Sequence, residues 1–283
     1  MYGAVTGKKG RSNMADMRIG IVGAAGRMGG TVIRQVTMTN GCVVAAASEI
    51  PGSDAIGKDA GEVAGCGTLG VEIIGDAAAM FGAVDTVIEF SIPEATTAHA
   101  ARAAEAGCIH IIGTTGLMPA QEAVLRAAGG KTPIVYAPNM SLAVNILFAL
   151  TRRVAAMLDD DFDIEIVEMH HRYKVDAPSG TALGLGRAAA EGRNVAFDDV
   201  AVLSREGQTG ERKKGDIGFA TLRGGDATGD HTVIFAADGE RLELSHKSSS
   251  RQIFARGAVR AALWAGGQKT GFYTMVDVLG LDR

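Results

Sequence analysis

The residues best suited to chemistry lie between Glu168 and Leu183, in the run EMHHRYKVDAPSGTAL, where two adjacent histidines and a lysine precede a Pro-Ser-Gly-Thr turn. Histidine is the side chain most easily poised to exchange a proton near neutrality, and lysine adds positive charge and transferable protons. The turn can open a helix with Ser179 or Thr181 as its cap, and the free N–H groups of a helix start, with the hydroxyls beside them, can hold a carboxylate. His170, His171 and Lys174, with Ser179, Gly180 and Thr181, therefore suit proton transfer on an anionic substrate. The plainer alternative makes His170 and His171 strand-end residues facing opposite sides and Lys174 a solvated charge; the density of cations beside an anion cradle weighs against it. Adjacent histidines on a strand diverge and no nearby His or Cys completes a ligand set, so no metal is expected. Arg251, after three serines and before a helix, either meets a substrate carboxylate or ends a strand.

A second cluster stands near the start of the chain. Gly23, Gly26 and Gly29, in GAAGRMG, follow the apolar run RIGIVG and open a helix-compatible stretch, Arg27 to Thr37. Strand, glycine turn and helix form the context of a dinucleotide site, in which glycines let the backbone approach a pyrophosphate at the helix N-terminus. Glu49 ends the next strand, where a carboxylate accepts hydrogen bonds from the adenine ribose; its plainer reading is an ordinary strand-end acid. Ile50 follows, an apolar residue where a 2'-phosphate needs a cation, which leans the expected cofactor towards NADH over NADPH. Arg27 keeps both open. Two later strand ends face the same cleft in such a fold. Ser91 stands three residues before Glu94, a capping-box spacing, and Gly113-Thr114-Thr115-Gly116 offers backbone N–H groups to a nicotinamide.

The elements that hold these clusters change character along the chain. Continuous apolar strands at 43–49, 86–90, 108–113 and 133–137, the last of that series, alternate with helical segments at 95–106 and 119–128, as in a parallel sheet covered on both faces. After Asn139 the pattern shifts. Ser141 caps an amphipathic helix to about Leu158, Phe162 to His171 alternates like a half-buried strand, and strand-like runs at 218–225, 231–237 and 240–248 suggest an antiparallel or mixed sheet. A last helix runs from Gln252 to Ala265. The charged loop from Arg205 to Asp216 reads as the least ordered part, and residues 1–16 as a flexible leader with Met14 and Met17 as alternative starts.

The composition fits an α/β enzyme. In 283 residues, 47% hydrophobic and 21% charged, there are 39 glycines and 6 prolines, which suits many tight strand-to-helix turns and about two domains. A net charge of −4 gives no cationic surplus for a nucleic-acid backbone or an anionic membrane. The most apolar long stretch, Ser141 to Leu150, carries Asn145, runs straight into Arg152 and Arg153, and is far short of the roughly 18 residues of a membrane span. Cys42, Cys66 and Cys108 show no CxxC pair and read as reduced core residues.

In this order, GAAGRMG, EFSIPEAT, GTTG, APNMSLAVN, HHRYKVDAPSGTAL, SREGQTGER and HKSSSRQIFARGAVRAALW resemble the 4-hydroxy-tetrahydrodipicolinate reductase family from about Met17 to the end. The resemblance implies a Rossmann-like domain over 17–139 and 252–283, and an inserted α+β domain with a mixed sheet over 140–251 that binds substrate and builds a homotetramer. It implies His170 as proton donor or acceptor and Lys174 as proton donor, with His171, Gly180 and Thr181 on the substrate. It implies cofactor contacts at Gly23, Ala24, Ala25, Gly26, Arg27, Met28, Glu49, Gly113, Thr114, Thr115, Ala137, Pro138, Asn139 and Met140. A small dicarboxylate substrate, NADH or NADPH and a cytoplasmic setting are expected, with no nucleic-acid or membrane partner. Ile50 departs from the arginine common in NADPH-competent relatives, and Met140 from the usual phenylalanine. A dehydrogenase of similar layout acting on another small acid such as homoserine, and a non-catalytic nucleotide sensor, are the rival readings.

Overall fold

The computed structural model describes residues 15–281. The expected leader and Met14 fall almost entirely outside that range; Met17 is the first residue of a strand. In chain order the elements are β1 (Met17–Val22), α1 (Arg27–Thr37), β2 (Cys42–Ser48), α2 (Ala60–Ala64), β3 (Ile73–Ile74), β4 (Thr86–Glu89), α3 (Pro93–Ala106), β5 (Ile109–Ile112), α4 (Pro119–Gly129) and β6 (Pro133–Tyr136). Then come α5 (Leu142–Met157), β7 (Asp163–His170), α6 (Gly180–Gly192), α7 (Phe197–Val200), β8 (Ala201–Val202), β9 (Ile217–Arg223), β10 (Gly229–Ala237), β11 (Glu240–Ser248), α8 (Gln252–Ala265), β12 (Gly271–Tyr273) and α9 (Met275–Leu279).

The first sheet has seven strands in the order β12-β6-β5-β4-β1-β2-β3, and every pairing in it is parallel. Its strands are short apolar runs because both faces are covered. Ile88, Ile111 and Val135 enter the core shared with α1 and α8, whereas Val87, Ile112 and Ile134 enter cores on the other face. Adjacent residues thus point to opposite faces, as the period of a strand requires. The alanine-rich face of α8 (Ala255, Ala258, Ala262, Ala265) lies in the same core as Val32, Ile33 and Val36 of α1, so small side chains let two helices share one face of the sheet.

The chain does not stop where its last obvious helix stops. β12 and α9 follow α8, and β12 pairs with β6 to become the sheet's edge, so neither the strand at 133–137 nor the helix at 252–265 is the last of its kind. A three-residue strand carries too little pattern to be read against the glycines around it.

The second sheet has the order β11-β10-β7-β9-β8 and is mixed: β10 pairs antiparallel with β7 and β11, while β9 pairs parallel with β7 and β8. β7 alternates without a break, Ile164, Ile166, Glu168 and His170 being buried and the residues between them half-buried. The buried apolar residues pack with Leu185 and Ala189 of α6. The loop at 205–216 contradicts the disorder expected of its charges: Arg205 donates two hydrogen bonds of 2.8 Å to Glu165, and Arg212 bonds Asp163, Glu165 and the Asp216 carbonyl. Charges that look solvated in the sequence are matched to carboxylates about 40 residues away, a pairing no local pattern displays.

Candidate active site

The Gly23 turn leaves the carboxyl end of β1. Gly23 adopts φ +70°, and a Cβ on Gly29 would lie 2.0 Å from the Gly23 carbonyl oxygen, so only glycine lets α1 start this close to the strand. Gly26 caps α1 without a side chain, and the first turn holds no acidic residue, which leaves its N–H groups and the positive end of the helix dipole for an anion. Glu49 closes the other side. One carboxylate oxygen accepts from Ala25 N–H at 3.0 Å and the other from Ile50 N–H at 2.9 Å, so the acid ties the end of β2 to the glycine turn and keeps lone pairs for hydroxyl donors. Ile50 is 71% exposed beside it. These features fit a dinucleotide.

The loops after β4, β5 and β6 lie along the same carboxyl edge, where an open parallel sheet binds ligand beside its change of strand order, here between β1 and β4. Thr114 is buried while Thr115 is exposed. Ser91 makes no capping box: the N-cap of α3 is Ile92, which gives no side-chain cap, and the Ser91 hydroxyl donates to Glu89 instead. After β6, Asn139 accepts from Ser141 N–H and donates to the Thr181 hydroxyl at 3.1 Å. That bond docks the first turn of α6 onto the carboxyl edge of the parallel sheet. Met140 is buried against α8, where a Cβ on Gly257 would lie 1.7 Å from its carbonyl oxygen, so its side chain serves the core.

The histidines sit at the end of β7. Glu168 and His170, two residues apart, share the buried face, while His171 turns away, half-buried. The ladder register places Arg223 of β9 opposite His170 and His231 of β10 opposite Glu168. The Glu168 carboxylate accepts from both terminal nitrogens of Arg223 at 3.0 Å, from Ser179 N–H at 3.0 Å and from His170 Nδ1 at 2.5 Å. Burial alone would raise the Glu168 pKa, but Arg223, His170 and Ser179 hold it below the usual range. Burial lowers His170; the adjacent Glu168 opposes the shift and Lys174 and Arg223 reinforce it. The carboxylate fixes the ring by its Nδ1 edge and leaves Nε2 as the exchangeable nitrogen.

Ser179 caps α6 by accepting from Ala182 N–H, so its hydroxyl proton is free to go to His231 Nε2 at 3.2 Å. His231 is then neutral and protonated at Nδ1, in keeping with a pKa that burial drives down to about 4. Ser179 is 2% exposed and props the site from within, while Gly180 and Thr181 are more open and stand at the helix start. Lys174 bonds Asp176 at 2.7 Å and Arg251 is exposed at the start of α8. Arg251 follows β11, whose Ser248 pairs with Gly229 beside His170, so it stands at the same end of the second sheet.

Glu168, His170 and His231 bring three ligand atoms within 4.8 Å of one another, so a third residue distant in sequence does stand beside His170, contrary to the expectation that no His or Cys is near enough to complete a set, while His171 stays outside the group. The Arg223 guanidinium already takes the cation's place on Glu168, so the donor set reads as a hydrogen-bonded network rather than a metal centre.

Models of the family described as dihydrodipicolinate reductase match the chain at residues 17–140 for the N-terminal part and 143–279 for the C-terminal part. The chain belongs to the dihydrodipicolinate reductase family. The 4-hydroxy-tetrahydrodipicolinate reductase of Rhodopseudomonas palustris (strain BisB18) is 55% identical over 269 residues, 95% of this chain and 99% of that protein. The one from Afipia carboxidovorans is 52% identical over 268 residues, 95% of this chain and 98% of that protein. A solved dipicolinate-bound dihydrodipicolinate reductase from Paenisporosarcina sp. TG-14 shares the fold, with a TM-score of 0.70 at 22% identity, covering 93% of this chain and 98% of that one.

Within this family member the sequence-derived residues form two groups, the Gly23 turn with Glu49 and the loops at 113–115 and 137–140, and the β7 end with the start of α6; Asn139 and Thr181 join them. Sequence reasoning missed Arg223, His231 and the part of Glu168. The alternation of β7 already put Glu168 on the face of His170, a usable signal, whereas Arg223 and His231 reach the site only through strand register.

Proposed function

We propose that this chain reduces (2S,4S)-4-hydroxy-2,3,4,5-tetrahydrodipicolinate to tetrahydrodipicolinate with loss of water, in diaminopimelate and lysine biosynthesis, at the seam between the two sheets. The observation that supports this most is the Asn139–Thr181 bond, which brings the anion-binding start of α6 to the carboxyl edge of the dinucleotide sheet. Residues 17–139 with 252–283 hold the dinucleotide, and 140–251 hold the substrate and the oligomer contacts.

The fit of the Gly23 turn and Glu49 supports a reduced nicotinamide dinucleotide, which when bound supplies a hydride to C4 of the substrate ring. One proton is taken up and water leaves. His170, fixed by Glu168, and Lys174 move protons at the ring, and Lys174 exchanges Asp176 for a substrate carboxylate. His171, Gly180, Thr181 and Arg251 hold the two carboxylates by charge and by N–H and O–H donors, and Ser179 sets the helix start that presents them. Gly23 to Met28, Glu49, Gly113 to Thr115 and Ala137 to Met140 hold the dinucleotide. Glu49 beside the apolar, exposed Ile50 favours NADH, and Arg27, exposed at the start of α1, leaves NADPH usable.

The exposed edge strand β11 is the surface through which a homotetramer would form, and the three free cysteines suit the reducing cytoplasm. No helix among the described residues is long and apolar enough to cross a membrane.

Following NADH absorbance with freshly generated substrate tests the reading. Oxidation dependent on that substrate is expected. No oxidation would overturn it, and oxidation with homoserine or another small acid alone would favour the rival dehydrogenase.

A further inference from the structure

A second buried ionisable cluster lies outside the groups used so far. Glu89, the last residue of β4, is fully buried beside His110, also fully buried, and the largely buried His99. One Glu89 oxygen accepts from the Ser91 hydroxyl at 2.9 Å and bonds His99 Nδ1 at 2.8 Å; the other lies 3.0 Å from His110 Nε2, without hydrogen-bond alignment. The Phe81 ring packs against both imidazoles at 5.7 and 5.6 Å. Burial would push Glu89 up, and the two imidazoles hold it well below the usual carboxylate range.

The ionised carboxylate fixes the direction of a hydroxyl chain. It can only accept, so Ser91 donates to it. The Ser91 oxygen then receives the Thr96 proton across 3.2 Å, and Thr96, its proton spent, receives that of Thr114 across 2.7 Å. The Thr114 oxygen keeps a lone pair for Ser91 N–H at 3.1 Å. The chain ends at the Gly113–Gly116 turn, which Phe90 supports from below: a Cβ on Gly113 would lie 2.1 Å from the ring. The turn stands at the carboxyl end of β5, two strands from the Gly23 turn, on the ligand-binding edge of the sheet. An apolar filling of this pocket would be easier to bury than an acid, so the acid points to placement of the turn rather than to packing alone.

We infer that Glu89, acting through Ser91, Thr96 and Thr114, is a positioning residue that holds the Gly113–Gly116 turn in register for the nicotinamide end of the dinucleotide. It rests on the proposed reductase reading for the identity of that ligand. Thr96→Val cuts the hydroxyl chain at nearly constant volume, and Thr96→Ser restores it. The expected result for Thr96→Val is about a fivefold or greater rise in the Kd of NADH, read by fluorescence titration, since one buried hydrogen bond is worth roughly that factor. The KM of the substrate should stay within about twofold and the serine variant should return to wild type. Glu89→Gln, with the acid's shape, should weaken NADH binding in the same sense and covers the case in which Thr96→Val does not fold. An unchanged Kd for NADH in the folded variants, with only the melting temperature lowered, would overturn the inference. A wild type that binds NADH but does not oxidise it with the substrate would instead defeat the reductase reading, and the titration would still decide this one.

Discussion

Replacing Glu168 with glutamine should cost more than one hydrogen bond. The carboxylate is buried and faces donors only: Arg223 twice, Ser179 N–H and His170 Nδ1. The amide keeps the shape but turns one terminal oxygen into a donor. Placed on one side it confronts Arg223 and His170; placed on the other it confronts Arg223 and Ser179. Either way a charge-assisted bond is lost, worth about 1.5–3 kcal/mol, and Arg223 loses its counter-charge. If that stabilisation is what lets His170 hold a proton during turnover, kcat/KM should fall roughly 10- to 150-fold. The direction with pH follows. Burial lowers His170 and Glu168 pulls it back up, so losing the carboxylate lowers it further. The protonated fraction at a given pH then drops, and the alkaline limb of the kcat/KM profile should move to lower pH. Profiles from NADH absorbance across the neutral range read both effects. An unmoved limb with unchanged turnover would refute the coupling and leave Lys174 as the sole proton carrier.

Three further outcomes are expected. His170→Ala and Lys174→Ala should lower turnover by about 10²–10⁴-fold while the Kd of NADH stays within about twofold; an equal loss of NADH binding in both, by fluorescence titration, would contradict their assignment to proton transfer. Ile50→Arg should shift the NADPH-to-NADH efficiency ratio roughly tenfold towards NADPH by adding a phosphate partner at an exposed position, and an unchanged ratio would remove Ile50 from cofactor choice. His231 stays neutral in the fold down to about pH 4, whereas its unfolded value is 6.5. The unfolded chain therefore binds that proton first, and stability falls by at most about 3 kcal/mol as pH drops from 6.5 to 4; His231→Gln should flatten this part of the melting-temperature curve, and an identical slope would discount the histidine.

Period and turn chemistry made most of the parallel sheet legible. Apolar runs bounded by Gly and Pro became β1, β2, β4, β5 and β6, and the limits of α1, β11 and α8 were readable to the residue because glycines and strand-ending serines mark them. β3 and β12 were not, since two or three residues held by a neighbour's register have no periodicity of their own. The same division runs through the site. His170, Lys174, Ser179 and the Gly23 turn stand in local motifs. Arg223 and His231 lie more than 50 residues from Glu168 in the chain, and only the pairing of β9 and β10 with β7 brings them together. Ser91 matched a capping pattern yet serves Glu89, because α3 takes Ile92 as its N-cap with Pro93 next, which leaves the Ser91 hydroxyl free to donate to the buried carboxylate.

The position of β12 has a consequence for how the protein is made. The strand that closes one side of the parallel sheet, and the helix that fills its core, come from residues 252–273, after the whole second sheet has been synthesised. Until they leave the ribosome, β6 offers an unpaired edge and α1 an uncovered apolar stripe, so the parallel sheet begins to be translated before the second sheet but is closed only after it. A chain stopped just short of Gly271 would leave that flank open to pairing with any neighbour.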